Sequence, residues 1–136
     1  MSEVQIQMAE DGFRWLLVEE GGELHLCHRG FPSRLEALQN LFIHHIMMGT
    51  FVGALARGVE GYATLFTGVR LEQEDDEFFW TITGEDGTLI GKSCGQFETM
   101  GSAYDNLIVV YTLLTIFVAS AAQERVSEKE LFEAEQ

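Results

Sequence analysis

Two stretches of this 136-residue chain match each other at a fixed spacing. Placing Phe13-Arg14-Trp15 on Phe78-Phe79-Trp80 brings Glu20 onto Glu85, Gly22 onto Gly87, Leu24 onto Leu89 and Gly30 onto Gly95. With one residue inserted in the second copy, Phe31 then falls on Phe97, Ala37 on Ala103, Asn40 on Asn106 and Leu41 on Leu107. Roughly thirty positions hold these ten identities, where ordinary composition gives about two by chance. Such a chain folds as two copies of one supersecondary unit that bury their apolar faces together.

The unit can be read from local pattern. Val4, Ile6 and Met8 alternate with Gln5 and Gln7, the period of a strand with one buried face. Asp11-Gly12 supplies a turn, Phe13, Trp15 and Leu17 form the next inward set, Gly21-Gly22 turns again, and Leu24 and Leu26 lie on a third strand. Ser33 then offers a helix N-cap with Glu36 three residues later, and Leu35, Leu38, Phe42, Met48, Val52 and Leu55 keep helical spacing up to Gly58. The spacing predicts a helix of about 22 residues.

The second copy repeats the plan with Leu65, Val69 and Leu71, then Phe78, Trp80 and Ile82, a turn at Asp86-Gly87, and Leu89-Ile90. Its helix is expected from Ser102, with Asp105 in the capping position, to about Ala122. The fold class is therefore α+β: a three-stranded antiparallel meander followed by a long helix, twice over, with the helices packed on the sheet and on a partner subunit. Residues 1–123 are expected to form one domain from repeats 1–58 and 62–123, and 124–136 an acidic tail or short helix.

Charge narrows the partners. With 22 acidic and 8 basic residues the net charge is −14, which repels phosphate backbones and anionic headgroups and argues against nucleic acid. Cys27 and Cys94 have no metal-type spacing, and the first residues carry neither a basic region nor an apolar signal core, so a reducing, cytoplasmic setting is expected. The apolar run Leu107 to Ala122 reaches only the short end of the roughly 17 to 25 residues that cross a bilayer, without a flanking cluster of positive charge, which disfavours a membrane span.

An ordinary surface helix has one apolar stripe, whereas the second helix from Leu107, and the first from Phe42 to Ala56, are apolar on every side. Two small sheets cover only part of such helices, so a homodimer or larger self-assembly is expected. His44, His45, Gly49, Gly53 and Tyr111 are the candidate interface: glycines four apart admit a close helix, and histidines at a helix seam would make assembly respond to pH near about 6 to 7.

Residues with chemistry are sparse. His25 and Cys27, on one strand face, together with Cys94 fall short of four zinc ligands and read as half-exposed strand side chains. The acidic run Glu72 to Glu77 lacks the glycine and oxygen spacing of a calcium loop and reads as a solvated hairpin loop. There is no phosphate-binding loop, nucleophile elbow or metalloprotease helix. No catalytic residue, metal or cofactor is expected. The leading function is a non-enzymatic, homo-oligomeric interaction or scaffold protein. The alternative is a binder of a small anionic or planar metabolite or nucleotide, in a pocket between subunits walled by Arg14, Trp15, Trp80 and Tyr104.

Phe13-Arg14-Trp15, Gly22, Gly30-Phe31, Ala37 and Asn40 together resemble the YegP-like family of small domains of unknown function. The resemblance implies a three-stranded unit with a helix that pairs with a second copy, and it brings no catalytic residues. The chain departs from the family pattern at Phe79, where the arginine would stand, and in helices that are longer and more apolar than the family's short polar one.

Overall fold

In a computed structural model of the chain, the described residues are 3–20, 22–57 and 68–134, with side chains as far as residue 120. The element order is β1 (Glu3–Ala9), β2 (Gly12–Glu19), β3 (Gly22–Leu26), α1 (Arg34–Ala56), β4 (Val69–Glu74), β5 (Glu77–Thr83), β6 (Leu89–Lys92) and α2 (Met100–Ala134). Two antiparallel sheets result, ordered β1-β2-β3 and β4-β5-β6. The expected α+β repeat of three strands and a helix is what the chain forms.

Alternation sets the strand register. Val4, Ile6 and Met8 stand opposite Leu17, Trp15 and Phe13, so one face of the first sheet is apolar and faces α1. In the second sheet Leu71 stands opposite Trp80, which faces α2. The helices pack against each other, and each also reaches the other repeat, α1 touching β4 and β6 and α2 touching β1. One core therefore serves both copies, with Trp15, Leu17, Leu41 and Met48 meeting Trp80, Ile82, Leu107 and Leu114.

Capping chemistry fixes the helix starts. The Ser33 hydroxyl accepts the Glu36 N–H at 3.1 Å and donates to the Glu36 carboxylate at 3.2 Å. From there α1 runs 23 residues to Ala56, and the expected terminator Gly58 lies outside the described residues. The second helix starts earlier than Ser102. Its first residue is Met100, and Thr99 caps it by accepting the Ser102 N–H at 3.0 Å. Ser102 thus holds the place of Glu36, and Asp105 lies a turn inside the helix. The backbone of α2 continues to Ala134, past the expected end near Ala122. β4 begins at Val69, and Leu65 lies outside the described residues.

The acidic run closes a two-residue hairpin between Glu74 and Glu77, with Asp75 and Asp76 at φ 49° and 65°. Aspartate tolerates this left-handed backbone better than bulky residues, because its short side chain bonds locally.

The inserted residue of the second copy is misplaced in the sequence alignment. Leu17 pairs with His25 and Val18 with Glu23, which skips Leu24 as a bulge; Ile82 pairs with Gly91 and Thr83 with Leu89, which skips Ile90 in the same way. The equivalents are therefore Leu24 with Ile90 and His25 with Gly91, and the insertion lies in the β5–β6 turn instead of after Gly95. Two hydrogen-bond pairs agree with that register. Cys27 N–H donates to Trp15 O and Ser93 N–H to Trp80 O, while the Cys27 thiol reaches Arg29 O and the Ser93 hydroxyl reaches Gly95 O.

Candidate functional site

The centre of the molecule holds the two repeats together. Trp15 and Trp80 are both 0% exposed, and a buried indole N–H requires an acceptor. Each donates to a helix asparagine, Trp15 to Asn40 Oδ1 and Trp80 to Asn106 Oδ1, both at 2.8 Å. The Asn40 amide then donates to Ile90 O at 3.1 Å, across the repeat boundary. Ile90 is the bulged residue of β6, so its carbonyl has left the strand ladder and takes its donor from the other copy. Sequence reading noted the Asn40/Asn106 identity without a role; a Trp and an Asn kept at matching separations in both copies was the available signal.

Between the tryptophans lies His25, and His44 lies beside Trp15. The His25 ring stacks on Trp80 with centroids 5.4 Å apart and tilts against Trp15 at 5.2 Å. His44 meets Trp15 edge-on at 4.9 Å. Its Nδ1 lies 2.8 Å from Asn40 O, so Nδ1 carries the proton and Nε2 is a bare acceptor. The Nε2 atoms of both rings are buried without a hydrogen bond. Burial is the main cause that lowers the His25 pKa to about 3, followed by His44 and His28; burial likewise lowers His44 to about 4, against the Asn40 carbonyl, which raises it.

This corrects the expectation for His44. Grouped with His45 as an interface residue, it is instead 0% exposed and faces β6 of the same chain. Gly91 makes room for it: a Cβ there would lie 2.0 Å from His44 Nε2. Gly91→Ala is expected to lower stability by about 2 kcal/mol through overpacking. A denaturation midpoint measured with and without His44→Ala checks it, since the smaller residue should recover most of the loss.

His25 and Cys27 are also corrected, both being 1% exposed where half-exposed side chains were expected. The Cys94 thiol lies 3.6 Å from His25 Nδ1, accepts the Leu26 N–H at 2.9 Å and donates to Leu26 O at 3.0 Å, tying the second copy to the end of β3. Burial raises the pKa of both thiols, which keeps them protonated and poorly nucleophilic at neutral pH. Among the described residues no group of three or more His, Cys, Asp or Glu is placed to hold a metal ion.

The four residues named for a ligand wall do not share a cavity. Trp15 and Trp80 are in the core, and Tyr104 packs half-buried against it. Arg14 points to the opposite face of β2, as alternation requires, where it donates to Asp11 at 2.7 and 3.1 Å and to Cys27 O at 3.3 Å. That ion pair and the Gly30 N–H hold the exposed Asp11 carboxyl at a pKa of about 2. Arg14 thus pins the β1–β2 turn to the chain leaving β3.

Four of the five interface residues do come together. His45, Gly49, Gly53 and Tyr111 line an open groove of about 380 Å³ along the outer seam of the two helices. His45 stacks on Tyr111 at 5.6 Å and meets the Thr115 hydroxyl at 3.1 Å, with its pKa lowered by burial. The two glycines differ. An added Cβ at Gly49 would lie 3.1 Å from the Tyr111 ring, so Gly49 serves the packing of α1 on α2, whereas at Gly53 nothing lies within 4 Å.

The arrangement of repeats can be compared with known proteins. The solution structure of YegP from E. coli, a protein of unknown function, superposes with a TM-score of 0.59, covering 84% of this chain and 86% of that one at 13% identity. The chain has the YegP fold. At that identity the likeness concerns the fold alone, which is what the Phe13-Arg14-Trp15 pattern implied. No family model matches the chain, and no curated protein matches it.

Proposed function

We propose that the protein works as a non-enzymatic, self-associating interaction module, and that its contact surface is the outer face of the paired helices. The observation that carries this is what that face exposes. Ile43 and Ile46 on α1 are 42% and 64% exposed, and Val109 and Ile116 on α2 are 42% and 58% exposed. Not one Asp, Glu, Lys or Arg occurs from Ala37 to Ala56 or from Asn106 to Gln123, although the chain as a whole carries −14. In α1 alone that stretch is about 30 Å long. A charged protein that keeps so long a face uncharged and apolar fits a surface that is covered.

Met100–Ser120 is also long and apolar enough to cross a membrane by length and composition. Support for a protein partner comes from the inner side of the same helix, where Ala103, Leu107, Val110 and Leu114 are buried in the shared core. The threonines 50, 112 and 115 and the open notch at Gly53 suit close packing of a second helix pair.

Sedimentation velocity at micromolar concentration is expected to give a dimer or larger species. Ile46→Glu with Val109→Glu should raise the dissociation constant at least about 100-fold, since each puts a charge into a desolvated contact, while leaving the circular dichroism unchanged. A monomeric wild-type protein, or one found with lipid vesicles on co-flotation, would replace this reading.

A further inference from the structure

The two sheets end on equivalent outer strands, and the two strands differ in kind. With Ile6 opposite Trp15 and Leu71 opposite Trp80, residues 4 to 9 of β1 correspond to residues 69 to 74 of β4. Edge strands are protected from pairing with other chains chiefly by charge. β4 follows that rule, with Arg70, Glu72 and Glu74, and runs directly into Asp75 and Asp76. β1 carries Gln5, Gln7 and Ala9 at the corresponding positions and has one charged residue, Glu3.

The apolar face of β1 differs too. Met8 is 69% exposed, and its equivalent Gln73 is exposed as well, so the fold of a single chain does not call for a methionine there. At the other end of the same strand Glu3 and Val4 border a groove of about 270 Å³, whose apolar wall is Leu113, Ile116 and Phe117 of α2.

We propose that β1 pairs antiparallel with β1 of a second copy, joining two first sheets into one six-stranded sheet about a twofold axis at Ile6. In the register that overlaps the whole strand, Ile6 opposes its own counterpart, Val4 opposes Met8, Gln5 opposes Gln7 and Glu3 opposes Ala9. Directly opposed residues share a face at about 4.5 to 5.5 Å between Cβ atoms. Each Met8 therefore lies beside the partner's Val4, at the mouth of the groove formed with Leu113, Ile116 and Phe117. The exposed Met8 and the groove at Val4, four residues apart along one strand, meet across the axis. No like charges oppose each other, and the Gln5 and Gln7 amides, already bonded within one chain, have partners across the seam.

This interface goes beyond the helix face and does not rest on it. Two self-complementary interfaces on one chain give a closed tetramer or a longer array, and blocking either one leaves a dimer held by the other.

A charge exchange tests the register. Gln5→Lys with Gln7→Lys places two lysine pairs face to face across the axis, and Gln5→Glu with Gln7→Glu places two glutamate pairs there. Each variant alone, measured by native mass spectrometry at micromolar concentration, should show a complex smaller than the wild type's with an unchanged circular dichroism spectrum. An equimolar mixture should restore the larger species as a mixed complex, each lysine now facing a glutamate. Unchanged mass in either variant, or a mixture that stays at the smaller mass while both chains are folded, would overturn the proposal. Combining the lysine pair with Ile46→Glu and Val109→Glu should give monomer. If the helix-face variants alone change nothing, the helix reading fails and the strand interface stands.

Discussion

Asn40→Ala is expected to lower the unfolding free energy by about 3 kcal/mol, the combined cost of leaving a buried N–H and a half-buried carbonyl without partners. The Trp15 indole N–H loses its acceptor, and the Ile90 carbonyl loses the donor that replaced its strand partner at the bulge. The indole has no water to turn to, because Trp15 is fully buried, and the Ile90 carbonyl is half-buried on the side of β6 that meets α1. In a chain of this size the loss should appear as a fall in melting temperature of about 10 °C. A double-mutant cycle isolates the cause. Trp15→Phe removes the donor itself, so the further loss on adding Asn40→Ala should be smaller by about 1 to 2 kcal/mol than in the wild type. Full additivity in urea titrations would show that Asn40 acts by packing and not through the hydrogen bond.

The asparagine also shows where sequence reading reaches its limit. Strands, turns and helices were legible, because binary alternation, paired turn residues and an N-cap serine are local signals. Even the second helix start, placed late at Ser102, was available from the first copy, since Thr99 stands in the place of Ser33. The register inside each hairpin was not legible. Leu24 matches Leu89 and Gly30 matches Gly95 by residue type, yet the bulges make Ile90 and not Leu89 the equivalent of Leu24. A bulge is set by how the strand packs, and an isoleucine in a strand carries no mark of it.

The same distance effect governs the candidate site. His44 and His45 look alike on the helix, and adjacent residues on a helix point about 100° apart, so one had to face inward. Which one does is decided by Gly91, a contact some 47 positions further along the chain. Conversely, His45, Gly49 and Gly53 line one groove, as helical spacing alone requires. Spacing could not separate the glycine that fits Tyr111 from the one that faces open space, because that difference belongs to the neighbouring helix.

Acid should destabilise the protein before its carboxylates titrate. His25 and His44 have folded pKa values of about 3 and 4 against 6.5 for the free side chain, so the unfolded chain takes up protons that the folded one refuses. Their contribution is level above pH 6.5. Below it, each histidine costs the fold about 1.4 kcal/mol per pH unit, close to 4 kcal/mol for the two together at pH 5, until the folded values are approached near pH 4. His28 and His45, lowered in the same direction by partial burial, add to the slope. Asp11, held at about 2, loses its stabilising effect only below its free value of 3.8. Relief of repulsion among the acidic side chains works the other way, but it also comes mainly below about pH 5, where carboxylates protonate. The interval from 6.5 to 5 therefore reports on the buried imidazoles. Urea midpoints taken at pH 7.5, 6.5, 5.8 and 5 should fall steadily after the first step. His44→Leu and His25→Leu should each remove close to half of that fall whatever they do to stability at pH 7.5. A profile that stays level between pH 6.5 and 5 would mean that the rings are solvated and not sealed in the core beside Trp15.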